Sequence, residues 1–247
     1  MRKLLPLCTL ILLSTALSTA ADGNRNFPVQ FTGCTEYVGF GPISLTAAQQ
    51  SLPAGYTAAN LGGVGGLVIR VATCAGASTD GSPAKPGIVA HYGINILSPD
   101  GTGDINNYTL SYATDSEILA GRLRKSGLPA VYNPELTVED PAVRPGNLYA
   151  AIGGPGLTPY FVTGTVNDPV GSPFPFLANW WYAGKHAALK MATTIPAIAF
   201  GPAALVLNTA TASPLGALIT GNIYSSFPFY NVRGRFAAAT MQITTTR

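Results

Sequence analysis

The chain has 247 residues, of which 47% are hydrophobic, 9% aromatic and 10% charged, whereas roughly a quarter of an average soluble domain is charged. Lys and Arg exceed Asp and Glu by 14 to 11, too small an excess to recruit nucleic acid or an anionic membrane surface. The 28 Gly and 20 Pro are scattered between apolar runs without repeats, which excludes a collagen or a coiled coil and favours a turn-rich, mainly β domain.

Met1-Arg2-Lys3, an apolar run from Leu4 to Leu17 and the small residues Ser18-Thr19-Ala20-Ala21 have the layout of a secretory signal cleaved after Ala20 or Ala21. The run is broken by Pro6 and falls short of the ~20 residues of a spanning helix, so no stable membrane insertion is expected after cleavage. The expected organisation is a signal over residues 1–21 and one β domain over 22–247, secreted or periplasmic. Losing Arg2 and Lys3 brings the balance to 12 against 11. Export puts the remaining cysteines, Cys34 and Cys74, in an oxidising compartment as an even pair. A disulfide between them is the expectation, with two separately buried thiols as the alternative. Two Cys and two distant His, His91 and His186, have no metal-ligand spacing, so neither a metal nor a cofactor is expected.

Residues 22–33 read as an irregular lead-in and Thr35 to Val38 as a strand. Thr46-Ala-Ala-Gln49 has capping-box spacing and opens a short helix ending at Pro53. Leu67 to Ala72 is a β-branched strand, and residues 79–87 are a loop by composition. Ile88 to Leu97 alternates, with Ile88, Ala90, Tyr92, Ile94 and Ile96 on one face and Val89, His91, Gly93 and Asn95 on the other. After a loop at Pro99 to Gly103, a strand covers Tyr108 to Ala113. Thr114-Asp-Ser-Glu117 then begins a second capped helix that runs to Lys125 and stops at Gly127. Strands follow at 150–152, 160–166, 176–182, 186–199, 204–207 and 235–245. The fold class is a bent sheet or β-barrel with two or three short helices.

Chemical motifs are sparse. No Gly-x-Ser-x-Gly elbow is present, and Gly62-Gly-Val-Gly-Gly66 lacks the helix that a phosphate loop requires and reads as a hairpin turn. Asn107-Tyr-Thr109 is a glycosylation sequon. Trp180 and Trp181, adjacent on a strand, must face opposite ways.

The order of several segments resembles acetoacetate decarboxylase. They are Leu52-Pro53 closing the first helix, Tyr108-Thr-Leu-Ser-Tyr112, the helix with Gly121-Arg122, the turn Gly127-Leu128-Pro129, and Phe200-Gly-Pro-Ala-Ala-Leu-Val-Leu207 followed by Pro214-Leu215. The resemblance spans about residues 34 to 217 and implies that family's bent β-barrel with an internal cavity. In that family the turn Pro is followed by two lysines, one forming a Schiff base with a β-keto acid and the other depressing its pKa. Here Ala130 and Val131 follow Pro129, and Leu123 stands where the family has a Glu after Gly-Arg. The family's first-strand arginine falls near Cys34 and its site glutamate near His91.

Without an amine there is no imine and no electron sink, so the resemblance implies the scaffold without its reaction. The leading expectation is an exported protein that binds, or transforms without a covalent step, a small apolar or carboxylate-bearing molecule in a cavity where Ala130, Arg122 and His91 converge. Its ligand contacts would be His91, Asn95, Tyr108, Tyr112 and Ala130. The second is a lyase or decarboxylase type of enzyme acting on a β-keto or related carboxylate. It would use His91 with Arg70 or Arg122, or a displaced lysine among Lys85, Lys185 and Lys190. The third is a structural or protein-binding exported domain. A homo-oligomer is compatible with each.

Overall fold

Phe27, Val29 and Phe31 alternate with Pro28, Gln30 and Thr32, and this period-two pattern already belongs to β1 (Phe27–Ser44) in the computed structural model. The structure describes residues 25–141, 146–185, 187–219 and 230–246; the expected signal segment and His186 lie outside the described residues. The lead-in expected over residues 22–33 is therefore strand from Phe27 on. Pro28 is tolerated there because it precedes Val29, where the pairing with β2 begins, and its C=O still accepts from the Asp80 N–H.

Ser44, not Thr46, caps α1 (Leu45–Gln50), its hydroxyl accepting from the Ala47 N–H at 3.4 Å. β2 (Val64–Thr79) and β3 (Lys85–Asn95) extend the two expected strands toward each other and shorten the loop between them. β4 (Ile105–Thr114) leads to α2 (Glu117–Lys125), capped by Ser116, whose Oγ accepts from the Leu119 N–H. Thr114 Oγ1 instead accepts from the Ser116 N–H. The short β5 (Val131–Tyr132) and β6 (Thr137–Glu139) precede β7 (Gly146–Ile152), β8 (Tyr160–Val166) and β9 (Phe174–Ala183). β10 (Ala188–Thr209), α3 (Pro214–Leu218) and β11 (Tyr230–Thr246) complete the described elements.

Hydrogen bonds run from β11 through β1, β2, β3, β4 and β9 to β10, and β10 pairs back with β11, so seven strands of one bent sheet form a ring. The far half of β10 leaves the ring and carries β8, β7 and β6 as a wing. Two cores result. One fills the ring interior, where Leu119, Ala120 and Leu123 of α2 pack on Phe27, Leu189 and Ile243. The other lies on the outer face, where Tyr37, Ile69, Tyr92 and Ile94 meet Leu148, Ala150, Tyr160 and Val162 of the wing.

The inward set of β1 changes parity along the strand. Phe27, Val29 and Phe31 point inward, and beyond Gly33 the inward residues are Cys34, Glu36, Val38 and Phe40. Gly33 takes φ +58°, a left-handed conformation that costs a side-chain-bearing residue energy. A similar break falls in β10, where the register against β9 shifts between Ile195 and Ile198. Cys34 stands directly opposite Cys74 and is disulfide-bonded to it, with the Cα atoms 4.1 Å apart and a sequence separation of 40.

Closing a loop of that length contributes roughly 4 kcal/mol in the chain-entropy account. A Cys34→Ser/Cys74→Ser variant is expected to lose about 2–4 kcal/mol of stability in denaturant unfolding, and an unchanged midpoint would contradict this.

Candidate functional site

Toward the Phe40 end of β1, beyond the reach of α2, the described residues leave a cavity of about 410 Å³ in the ring interior. Its walls are mainly apolar: Val38, Phe40, Val68, Ile105, Phe176, Ala178, Trp180, Ile195, Phe200 and Val232. Four polar side chains interrupt them, Glu36, Arg70, Asn107 and Thr193. Volume and lining are those of a small-molecule site.

Strand register explains how the polar group assembles. Arg70 stands between Val38 on β1 and His91 on β3, and His91 stands opposite Tyr112 on β4. Glu36, two residues before Val38, reaches Arg70, with Oε2 2.6 Å from Nε. Gly234 lies across from Glu36, and a Cβ there would come within 2.8 Å of the Glu36 Cγ, so the bare glycine makes room for the carboxylate. Arg70 Nη1 lies 3.3 Å from His91 Nε2. Guanidinium only donates, so His91 Nε2 accepts and the imidazole is neutral with its proton on Nδ1. Burial, and secondarily the Arg70 charge, hold the His91 pKa well below the ordinary 6.5.

Trp180 closes this layer. Its indole stacks on the His91 ring with centroids 3.9 Å apart, and a Cβ on Gly93 would come within 3.0 Å of the same indole. His91 therefore sits behind Trp180, 2% exposed, and touches the cavity through Arg70. Its acceptor lone pair is committed to Arg70, which makes it a positioning residue for the guanidinium and leaves no lone pair for use as a general base. Tyr112 packs edge to face on His91 at 5.2 Å. Its hydroxyl, buried without a hydrogen-bond partner among the described residues, is pushed well above its ordinary pKa by that burial.

Of the residues singled out from the sequence, Arg70 lines the cavity, while His91 and Tyr112 form the layer behind it. Asn95 acts at one remove, its Nδ2 donating to Asn107 Oδ1 at 3.2 Å. Tyr108 is on the outer face, where its ring meets Tyr56 and its hydroxyl accepts from the Ala183 N–H. The extra residue in β4, between Thr109 and Ser111, separates the parity of Asn107 from that of Tyr112. Arg122 and Ala130 do not reach the cavity. Arg122 bonds Asp80 at 2.6 Å and lies over the Phe27 ring, and Ala130, buried in the α2 end of the ring core, accepts from Arg124 through its carbonyl. The expected convergence of Ala130, Arg122 and His91 is thus replaced by one of Glu36, Arg70 and His91, because α2 occupies the other end of the ring.

No lysine lines the cavity among the described residues. Lys190 projects from the outer face, where its Nζ bonds Asp100 Oδ2 at 2.6 Å and lies over the Trp181 ring, and Lys85 and Lys185 are exposed. Sequence reading missed Glu36, Asn107, Thr193, Phe176 and Phe200. A usable signal existed for Glu36, the one carboxylate inside the strand Thr35-Glu-Tyr-Val38. Asn107 carries only a sequon signal in the sequence, and the residue is 1% exposed.

Solved structures share this fold. An acetoacetate decarboxylase-like enzyme from Sphingomonas wittichii RW1 aligns with a TM-score of 0.58 at 13% identity, over 97% of this chain and 99% of its own. The enduracididine biosynthesis enzyme MppR complexed with pyruvate aligns at 0.61 and 11% identity, over 90% and 89% of the two chains. The acetoacetate decarboxylase of Legionella pneumophila subsp. pneumophila str. Philadelphia 1 gives 0.56 and 12%, over 89% and 86%. No family model matches the sequence, and no curated protein matches it. The chain has the acetoacetate decarboxylase-like fold.

The neutral state of His91 has a consequence for stability. The unfolded chain takes up a proton on this histidine as pH falls below about 6.5, and the native state does not. Stability therefore falls with falling pH in that window. Between about pH 6.5 and 5.5 the wild type should lose about 1 kcal/mol more than a His91→Gln variant, measured by urea unfolding at both pH values. Parallel losses in the two proteins would mean that His91 is charged when folded.

Proposed function

We propose that this chain is an exported protein that binds, or transforms without a covalent intermediate, a small and largely apolar molecule in the ring cavity. The observation that carries the reading is the cavity itself, about 410 Å³ with ten apolar and four polar lining residues. Export is supported by the signal-like N-terminal sequence and the Cys34–Cys74 disulfide. No helix among the described residues is long and apolar enough to cross a membrane.

Schiff-base decarboxylation requires a neutral amine in the cavity. Ala130 and Val131 stand where the resemblance would put the two lysines, and the cation lining the cavity, Arg70, is a guanidinium and not an amine. A second reading, an enzyme acting on a β-keto or related carboxylate anchored by Arg70 beside His91, is favoured by the 3.3 Å contact between them. Glu36 weighs against it, since it neutralises the anchor before any substrate arrives.

Trp180 lines the cavity while Trp181 sits in the outer core, so ligand entry has its own reporter. Toluene is expected to change the fluorescence saturably in the wild type and not in Trp180→Phe. Filling the space with Ala178→Phe should weaken binding by about ten-fold or more with the thermal transition retained. Unaltered affinity in Ala178→Phe would place the ligand elsewhere.

Borohydride reduction in the presence of acetoacetate is expected to leave the mass of the mature chain unchanged. A stoichiometric adduct on Lys85, Lys185 or Lys190 would restore imine chemistry and overturn this reading.

A further inference from the structure

We propose that the cavity selects an uncharged ligand whose polar end both accepts and donates hydrogen bonds, of the carboxamide or hydroxyketone class, and rejects carboxylate anions, with Glu36 as the specificity-determining residue. The inference rests on reading the cavity as a binding site. It adds what that site admits.

Glu36 and Arg70 both line the cavity and are bonded to each other at 2.6 Å, so the polar patch carries no net charge. A guanidinium grips a carboxylate best through a pair of parallel N–H groups. Here Nε, one member of the side-on pair, is given to Glu36, and Nη1 faces His91 Nε2. An incoming carboxylate would have to displace Glu36 or lie beside it. Displacement leaves a buried carboxylate without its cation, and juxtaposition sets two anions together between apolar walls, where water screens little. Both routes are penalised, which makes Glu36 a device of exclusion as much as a partner for Arg70.

An uncharged polar end meets neither penalty. Glu36 Oε1 has no hydrogen-bond donor among the described residues and can accept from a ligand N–H or O–H. Arg70 retains N–H groups beyond the two engaged, and Asn107, whose Oδ1 already accepts from Asn95, has its amide N–H groups to offer a ligand carbonyl. Glu36 and Arg70, bonded at 2.6 Å, set an acceptor and donors side by side, the complement of a carboxamide or of a carbonyl with a neighbouring hydroxyl, and Asn107 adds a donor on the same cavity's wall. Beyond that patch the walls call for an alkyl or aryl body.

The test uses the whole mature protein at about pH 8, where hexanoate is ionised, and calorimetric titration with toluene, hexanamide and hexanoate. Toluene asks nothing of Glu36 or Arg70 and reports the cavity alone. Hexanamide is expected to bind about ten-fold or more tighter than hexanoate. Glu36→Gln, which frees the Arg70 charge, should raise hexanoate affinity by about ten-fold or more and reverse the order. Toluene binding with hexanoate as tight as hexanamide in the wild type would overturn the selectivity and leave the cavity reading standing. Absence of toluene binding would remove the cavity reading and the selectivity with it. Should Glu36→Gln not fold, the wild-type comparison decides alone.

Discussion

A sheet that pairs its last strand with an earlier one has a single interior, and the pairing of β10 with β11 imposes that condition here. Every inward side chain of seven strands then competes for one enclosed volume. α2 settles part of the competition by inserting Leu119, Ala120 and Leu123 at the Phe27 end. Among the described residues no helix enters at the Phe40 end, and the cavity lies there. Among the described residues the cavity is thus the part of the ring interior that α2 does not occupy, and its position follows from where α2 sits.

Within that interior the Glu36–Arg70 pair is an expense rather than a source of stability. Two charges withdrawn from water recover their hydration only when the geometry is good, and an apolar pair of similar size would often serve the fold as well or better. Glu36 is 3% exposed, and its partner keeps 15% of its side chain accessible, on the side of the cavity. The remaining cost is reduced by a second layer, His91 accepting from Arg70 and Trp180 stacking on His91. A core whose task was packing alone would have no use for this sequence of polar contacts. The proposed role of orienting a ligand's polar end within apolar walls gives them one.

Much of the scaffold was legible in the sequence, and the losses have identifiable causes. The alternation of Ile88 to Asn95 was readable because β3 keeps one parity throughout, which set His91 and Ala90 on opposite faces as the two cores require. β1 was cut short because its inward set changes from odd to even at Gly33, and a strict period of two sees two unrelated fragments there. Tyr108 and Tyr112 looked equivalent at a spacing of four, and the extra residue between them in β4 sent them to opposite faces. Thr46 and Thr114 lost the cap positions to Ser44 and Ser116, whose hydroxyls accept from the Ala47 and Leu119 N–H groups three residues on, and capping-box spacing did not separate these serines from the threonines two residues away. Glu36 and Arg70 are 34 residues apart, and their meeting is a matter of register, which local pattern does not encode.

Register is also where the disulfide meets the cavity. Because side chains alternate, a slip of one residue between β1 and β2 would turn Glu36 outward and bring Tyr37 into the ring. The two strands are most exposed to such a slip where Gly33 breaks the alternation, since a glycine there offers no packing to resist it. Cys34 follows immediately and is bonded to the residue directly across, Cys74. The covalent link therefore stands two residues before Glu36 and four after Arg70, at the point of weakest side-chain definition. Its contribution to the unfolded state is entropic and general, whereas its contribution to the site is positional: it admits one register, and in that register the carboxylate and the guanidinium face each other inside the ring.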